Sequence, residues 1–167
     1  MKLESLRDAY MDQLRDAYDV EEQLVKALPR MMKACGSPEL KSALEEHLEQ
    51  TKTQVQRLER VFESMGHEAK AKKCVGLRGI LDEGEDIMDE DGEFAVRDAL
   101  LIAGAQKVEH YEIAMYGTLC TWAEQLGDRT AVELLKETLE EEKMADKKLT
   151  QIAESSINPQ AAQRRVA

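Results

Sequence analysis

Residues 108–127 read VEHYEIAMYGTLCTWAEQLG. Glu109, Ile113, Tyr116 and Cys120 recur at steps of three and four, the period of one helix face, and Glu112 stands at the edge of that stripe. Gly127 ends the helix and Asp128 is placed to cap the next. Acids on a face otherwise suited to burial need a physical reason. An ionised carboxylate taken from water into an apolar setting costs on the order of several kcal/mol unless something pairs with it. A shared cation can do so for several carboxylates at once, and shared protons are the other route.

Outward from this stretch, the helix of residues 93–125 continues the same stripe backwards through Gln106, Ile102, Ala99 and Val96. Beyond Gly127 a further helix carries Leu135, Leu139, Glu142, Asp146, Leu149 and Ile152 at helical spacing and is expected to end near Ser155. The two helices form a hairpin, so depth can be counted from its turn. Glu112 lies fifteen residues before Gly127 and Glu142 fifteen after; Glu109 lies eighteen before and Asp146 nineteen after. Four carboxylates therefore converge at two adjacent levels.

The first part of the chain repeats this plan. Val20-Glu21 returns as Val108-Glu109, and Leu44-Glu45-Glu46-His47 returns as Leu139-Glu140-Glu141-Glu142. A helix over residues 3–35 carries Leu3, Leu6, Tyr10, Leu14, Ala17, Glu21, Leu24, Leu28 and Met31 on one stripe, with Pro29 expected to bend its last turns. Gly36 ends it, and Ser37-Pro38 starts a second helix that reaches Met65 before Gly66. That helix shows Leu40, Leu44, His47, Thr51, Val55, Leu58 and Phe62. Glu21 lies fifteen residues before Gly36 and Thr51 fifteen after, with His47 one turn nearer the loop.

Residues 67–91 join the two hairpins. Gly76, Gly79 and Gly84 interrupt apolar residues there, which predicts a shorter, weaker helix within a long connection. A connection of that length can run back along a bundle, as a ferritin-like crossover requires. The expected fold is all-α: a ferritin-like up-down four-helix bundle over residues 1–156, with a short extra helix in the crossover and a flexible tail over residues 157–167.

Composition agrees. Among 167 residues, aromatic side chains make up only 4%, and no period-two, β-branched run announces a strand. Thirty-four acids against 23 bases give a net charge of −11, which argues against nucleic acid and against anionic membrane as partners. No apolar run approaches the roughly 20 residues needed to span a bilayer, and residues 1–10 lack the apolar core of a signal peptide, so a cytoplasmic location is expected. Cys35, Cys74 and Cys120 are odd in number and widely spaced, and read as reduced structural thiols.

Carboxylates are hard oxygen ligands that can bridge two ions, and an imidazole adds a nitrogen suited to iron, manganese or zinc. The expected ligands are Glu21, His47, Glu109, Glu112, Glu142 and Asp146. Di-iron bundles usually take a Glu from each of two helices and a Glu-x-x-His from each of the others. Here Leu44 occupies the place three before His47, and Asp146 stands where the second histidine would be sought, so the set is rich in carboxylate. A solvated acid is the other reading of Glu112, and a hydrogen-bonded core histidine that of His47. Glu45, Glu46, Glu140 and Glu141 read as a wet acidic face. His110 is turned about 100° from Glu109 and points to a supporting or interface role. Thr51, Gln54 and Gln106 are placed to hydrogen-bond ligand carboxylates, and Tyr18, Tyr111 or Tyr116 to lie near the ions or simply in the core.

The runs DAYDVEEQLVKALPRM, LEEHLEQTKTQVQRLERVF, RDALLIAGAQKVEHYEIAMYGTL and LEEEKMADKKLTQIA resemble the YciF-like family of ferritin-like proteins, over roughly residues 3–154. The resemblance implies a rubrerythrin-like bundle with a carboxylate-histidine dimetal centre, a homodimer, and a bacterial protein associated with stress. It implies that Glu21, His47, Glu109, Glu112, Glu142 and Asp146 form its polar core. The expected cofactor is a pair of Fe ions, or Mn, reacting with oxygen or peroxide or oxidising Fe(II). No Cys cluster for electron delivery is present, so turnover needs an external reductant. A second reading stays open: a non-catalytic helical stress or interaction protein whose buried acids hold no metal, and in which Trp122 or Phe94 serves an interface.

Overall fold

The computed structural model describes residues 3–163. Six α-helices follow in order: α1 Leu6–Ala34, α2 Pro38–Ser64, α3 Val75–Asp89, α4 Phe94–Leu126, α5 Arg129–Ile152 and α6 Asn158–Gln163, with a π-helical turn at Ala153–Ile157 between the last two. There is no strand among the described residues. Polar side chains start most of the helices. Ser5 accepts from the Asp8 amide, Ser37 from Leu40 and Asp128 from Ala131, each satisfying a donor that the first turn leaves orphaned. Gly127 closes α4 at φ 75°, a left-handed conformation that glycine adopts without the Cβ penalty.

The hairpins α1–α2 and α4–α5 form the bundle: α1 packs on α2 and α4, and α5 packs on α2 and α4. Helix α3 lies in the crossover against α1 and α4. Leu77 and Leu81 are its buried side chains among the described residues, as expected of a helix that covers one face. The interior is split in two. One apolar cluster contains Val20, Leu24, Leu44, Val108 and Leu149, the other Ala17, Leu58, Phe62, Tyr116 and Leu135. Between them each long helix contributes polar side chains: Glu21 from α1, His47, Thr51 and Gln54 from α2, Glu109 and Glu112 from α4, Thr138 and Glu142 from α5. Apolar packing on both sides therefore holds a polar layer across the middle of the bundle.

Two expectations are corrected at the ends. Leu3 does not join the α1 stripe but is exposed, and the helix starts at Leu6. The last helix does not stop near Ser155, nor does the chain leave the bundle at residue 157. The π turn carries it on, Ile157 is buried with Ile152 and Ala153, and α6 follows. An apolar side chain two residues past the expected end gives the backbone a reason to stay helical. Residues 164–167 of the expected tail lie outside the described residues. On α4, Val96 faces outward while Asp98 is buried, because its carboxylate accepts the amides of Gly36 at 2.9 Å and Ser37 at 2.8 Å and so ties the two hairpins together.

Candidate metal centre

Glu21, Glu112 and Glu142 have no exposed surface, Glu109 is 2% exposed and His47 6%. Such burial is rare for carboxylates unless they are paired. His47, Glu109, Glu112 and Glu142 each offer a ligand atom, and these atoms lie within 4.8 Å of one another. His47 Nε2 is 3.5 Å from Glu109 Oε1 and 3.8 Å from Glu142 Oε2. Glu21 completes the layer from α1: it accepts a hydrogen bond from the Tyr116 hydroxyl, and its charge is felt by both Glu109 and Glu112.

Protein donors leave this group largely unsatisfied. Glu21 Oε2, Glu109 Oε2, both oxygens of Glu112, Glu142 Oε2 and His47 Nδ1 are buried with no hydrogen-bond partner. Native interiors leave few such atoms, and each calls for a specific explanation. Without a cation the acids disfavour one another's charge. Burial raises the pKa of Glu21, Glu109 and Glu112 well above the ordinary carboxylate value, and the Glu142 carboxylate raises them further. Burial raises Glu142 as well, against a lowering by His47. Orphaned hard oxygens with one imidazole, converging from α2, α4 and α5 with Glu21 of α1 beside them, suit a divalent cation of the iron, manganese or zinc type.

A chain of side chains braces the centre from one side. Gln54 donates through Nε2 to Glu142 Oε1 and, at 3.0 Å, to Glu141 Oε2. Arg57, only 8% exposed, holds both oxygens of Glu141, with Nη1 at 2.5 Å from Oε2 and Nη2 at 2.8 Å from Oε1, and reaches Glu137 at 2.7 Å. This fork fixes the carboxylate next to Glu142 in two directions. The expectation for Gln54 holds. Glu141, read as part of a wet face, is instead half-buried in this network. Arg57 was not foreseen, although it sits three residues after Gln54 and opposite two acids four apart on α5, a spacing that marks an ion-paired seam.

The remaining candidates fall outside the cluster. Asp146 is half-buried and accepts from Gln106 Nε2 at 2.9 Å, with His110 Nε2 3.5 Å away. It stands at the outer edge of the α4–α5 seam, near enough to raise Glu109 but not among the converging atoms. Thr51 bonds the His47 carbonyl of its own helix, not a carboxylate. Of the tyrosines, Tyr116 reaches the acids, while Tyr18 donates to Glu59 and Tyr111 meets the Cys74 thiol. His67 is exposed.

An antiparallel four-helix bundle with a long crossover, a divided core and a buried carboxylate-histidine layer defines a ferritin-like protein. The chain belongs to the family described as "Domain of unknown function (DUF892)", which matches residues 5–162. It is 46% identical to the protein YciF of Escherichia coli over 162 residues, 96% of this chain and 98% of that protein. The solved structure of that E. coli stress protein superposes with a TM-score of 0.90, over 93% of this chain and 99% of that one. YcfI of Rhodopseudomonas palustris, 39% identical, gives 0.89 over 91% and 97%. The dodecameric thioferritin of Bacteroides fragilis, a bacterioferritin-related protein 15% identical, gives 0.71 over 96% and 93%, a likeness of fold alone.

Proposed function

We propose that the polar layer holds two iron ions, or two manganese ions, and that the protein acts in a stress response through oxygen, peroxide or Fe(II) redox chemistry. The observation that carries this reading is the set of orphaned buried oxygens from Glu21, Glu109, Glu112 and Glu142 beside His47. These five residues hold the ions, with Asp146 as an outer carboxylate. When bound, the pair supplies two electrons, one from each ion. The protein's part is to bind and to orient: apolar clusters close the layer above and below, Tyr116 orients Glu21, and Gln54 orients Glu142. The E. coli relative is called a stress protein, which supports the same setting here. Turnover would need an external reductant. No helix among the described residues is long and apolar enough to cross a membrane, in keeping with the cytoplasmic location proposed. A homodimer is part of the proposal, supported by Val96 and Leu100, which α4 leaves exposed one turn apart on the same face.

Metal analysis of protein purified without added metal tests the reading. About two ions per chain are expected in the wild type, as a dinuclear site requires, with loss in both Glu21→Ala and Glu142→Ala. A metal-free wild type that stays so after anaerobic incubation with Fe(II) would sink it and leave the non-catalytic helical protein as the answer.

A further inference from the structure

A groove of about 620 Å³ runs between α2 and α5 and reaches the centre, with His47 and Glu109 among its lining residues. Apolar walls come from Ala43 and Leu44 on one side and Ala145 and Leu149 on the other. At its rim the Lys148 ammonium pairs with Glu46 across the two helices. A water-sized molecule needs only about 10–15 Å³ measured in this way, so the opening far exceeds what hydrogen peroxide or dioxygen requires. It falls instead within the roughly 300–1,000 Å³ typical of sites for organic ligands. The exposed Lys147 and Gln151 and the half-buried Gln50 also line it, with the Lys148 charge matched by Glu46; the buried acids below and the net charge of −11 disfavour an organic anion, and the apolar walls disfavour an organic cation. A neutral molecule with an apolar body and a small polar end fits both.

We propose that this groove binds organic hydroperoxides, with the hydrocarbon part between α2 and α5 and the peroxy group directed to the His47–Glu109 end. This rests on the dimetal reading above and names its substrate class. The step balances as follows: the O–O bond of ROOH breaks, two electrons come from two ferrous ions that become ferric, and two protons from solvent complete ROH and one water. The groove fixes which oxidant arrives, because only a molecule with an apolar body gains from its walls.

The test has two arms. First, metal-free protein is titrated with cumyl alcohol, the inert counterpart of cumene hydroperoxide, and followed by amide NMR. Saturable shifts are expected around Ala43, Leu44, His47, Ala145 and Leu149, and are expected to vanish in Ala145→Trp and in Gln50→Trp, which fill the groove from opposite walls. Second, ferrous-loaded proteins are mixed with cumene hydroperoxide or hydrogen peroxide. Each Trp variant should slow oxidation by the organic peroxide by about tenfold or more, the scale of a lost pocket contact, and leave the hydrogen peroxide rate and the iron content near those of the wild type. Absence of shifts in protein that loads iron normally would overturn the groove assignment alone. Equal slowing of both peroxides by both variants would overturn it as well. Failure of the wild type to load iron, read separately by metal analysis, would overturn the dimetal reading and the hydroperoxide chemistry with it.

Discussion

Glu142 is the residue on which most of the centre's geometry turns. Its neighbours are His47 on one side and Gln54 on the other, and its charge raises the pKa of Glu21, Glu109 and Glu112. In the metal-free protein it is a burden, because a buried acid among acids has an uncompensated desolvation cost. Glu142→Ala is therefore expected to abolish metal binding while the metal-free variant melts at or above the wild-type temperature. A clear fall in melting temperature without metal would contradict this. Gln54 acts through Glu142, and Gln54→Leu leaves that carboxylate free to turn. Supporting hydrogen bonds of this kind are worth about 10–100-fold in metal affinity, so Co(II) competition titration should show a loss in that range, with a changed visible spectrum. Unchanged affinity and spectrum would show that Gln54 only fills space.

Among the elements, α4 was the one whose sequence pattern both revealed and concealed most. Its Glu109, Tyr116 and Cys120 lie inside as the stripe from residues 108–127 requires, and Glu112, legible only as an edge position, is fully buried. Near its start the period fails: Val96 is exposed and Asp98 is 2% exposed. The amides of Gly36 and Ser37 explain this, since they reach Asp98 from the turn between α1 and α2. No pattern within α4 announces a partner over sixty residues away. Asp98→Ala leaves two backbone donors without that acceptor and should lower unfolding free energy by about 2 kcal/mol, within the range for hydrogen bonds to a charged group. Urea denaturation measures it; a loss under about 0.5 kcal/mol, the size of an ordinary surface change, would mean that water replaces the carboxylate.

At the scale of the whole molecule, the divided core couples stability to pH. Glu21, Glu109, Glu112 and Glu142 all have folded pKa values raised above 4.5, chiefly by burial. Between the unfolded value and those raised values the native state binds more protons than the unfolded chain, so unfolding free energy falls as pH rises. The metal-free protein is thus expected to lose stability from pH near 4.5 upward through the raised folded values, and added Fe(II) or Mn(II) to restore it most at the upper end. A melting temperature of the metal-free protein that climbs steadily over that window would be inconsistent with a protonated acid layer.

The periodicity of the chain by itself determined the helices, their pairing into two hairpins and the long crossover, because helix period, glycine stops and turn spacing are local properties. It also determined that Glu21, Glu109 and Glu142 go inside, since each lies between apolar neighbours on its own helix. Only the tertiary structure decided which polar groups meet. It set Asp146 at the seam's edge beside Gln106 and His110, drew Arg57 and Glu141 into the support of Glu142, and kept the chain helical past Ser155 over Ile157. Rotation of one helix against another fixes those contacts, and it follows from packing along the whole length of the bundle rather than from any one stretch of residues.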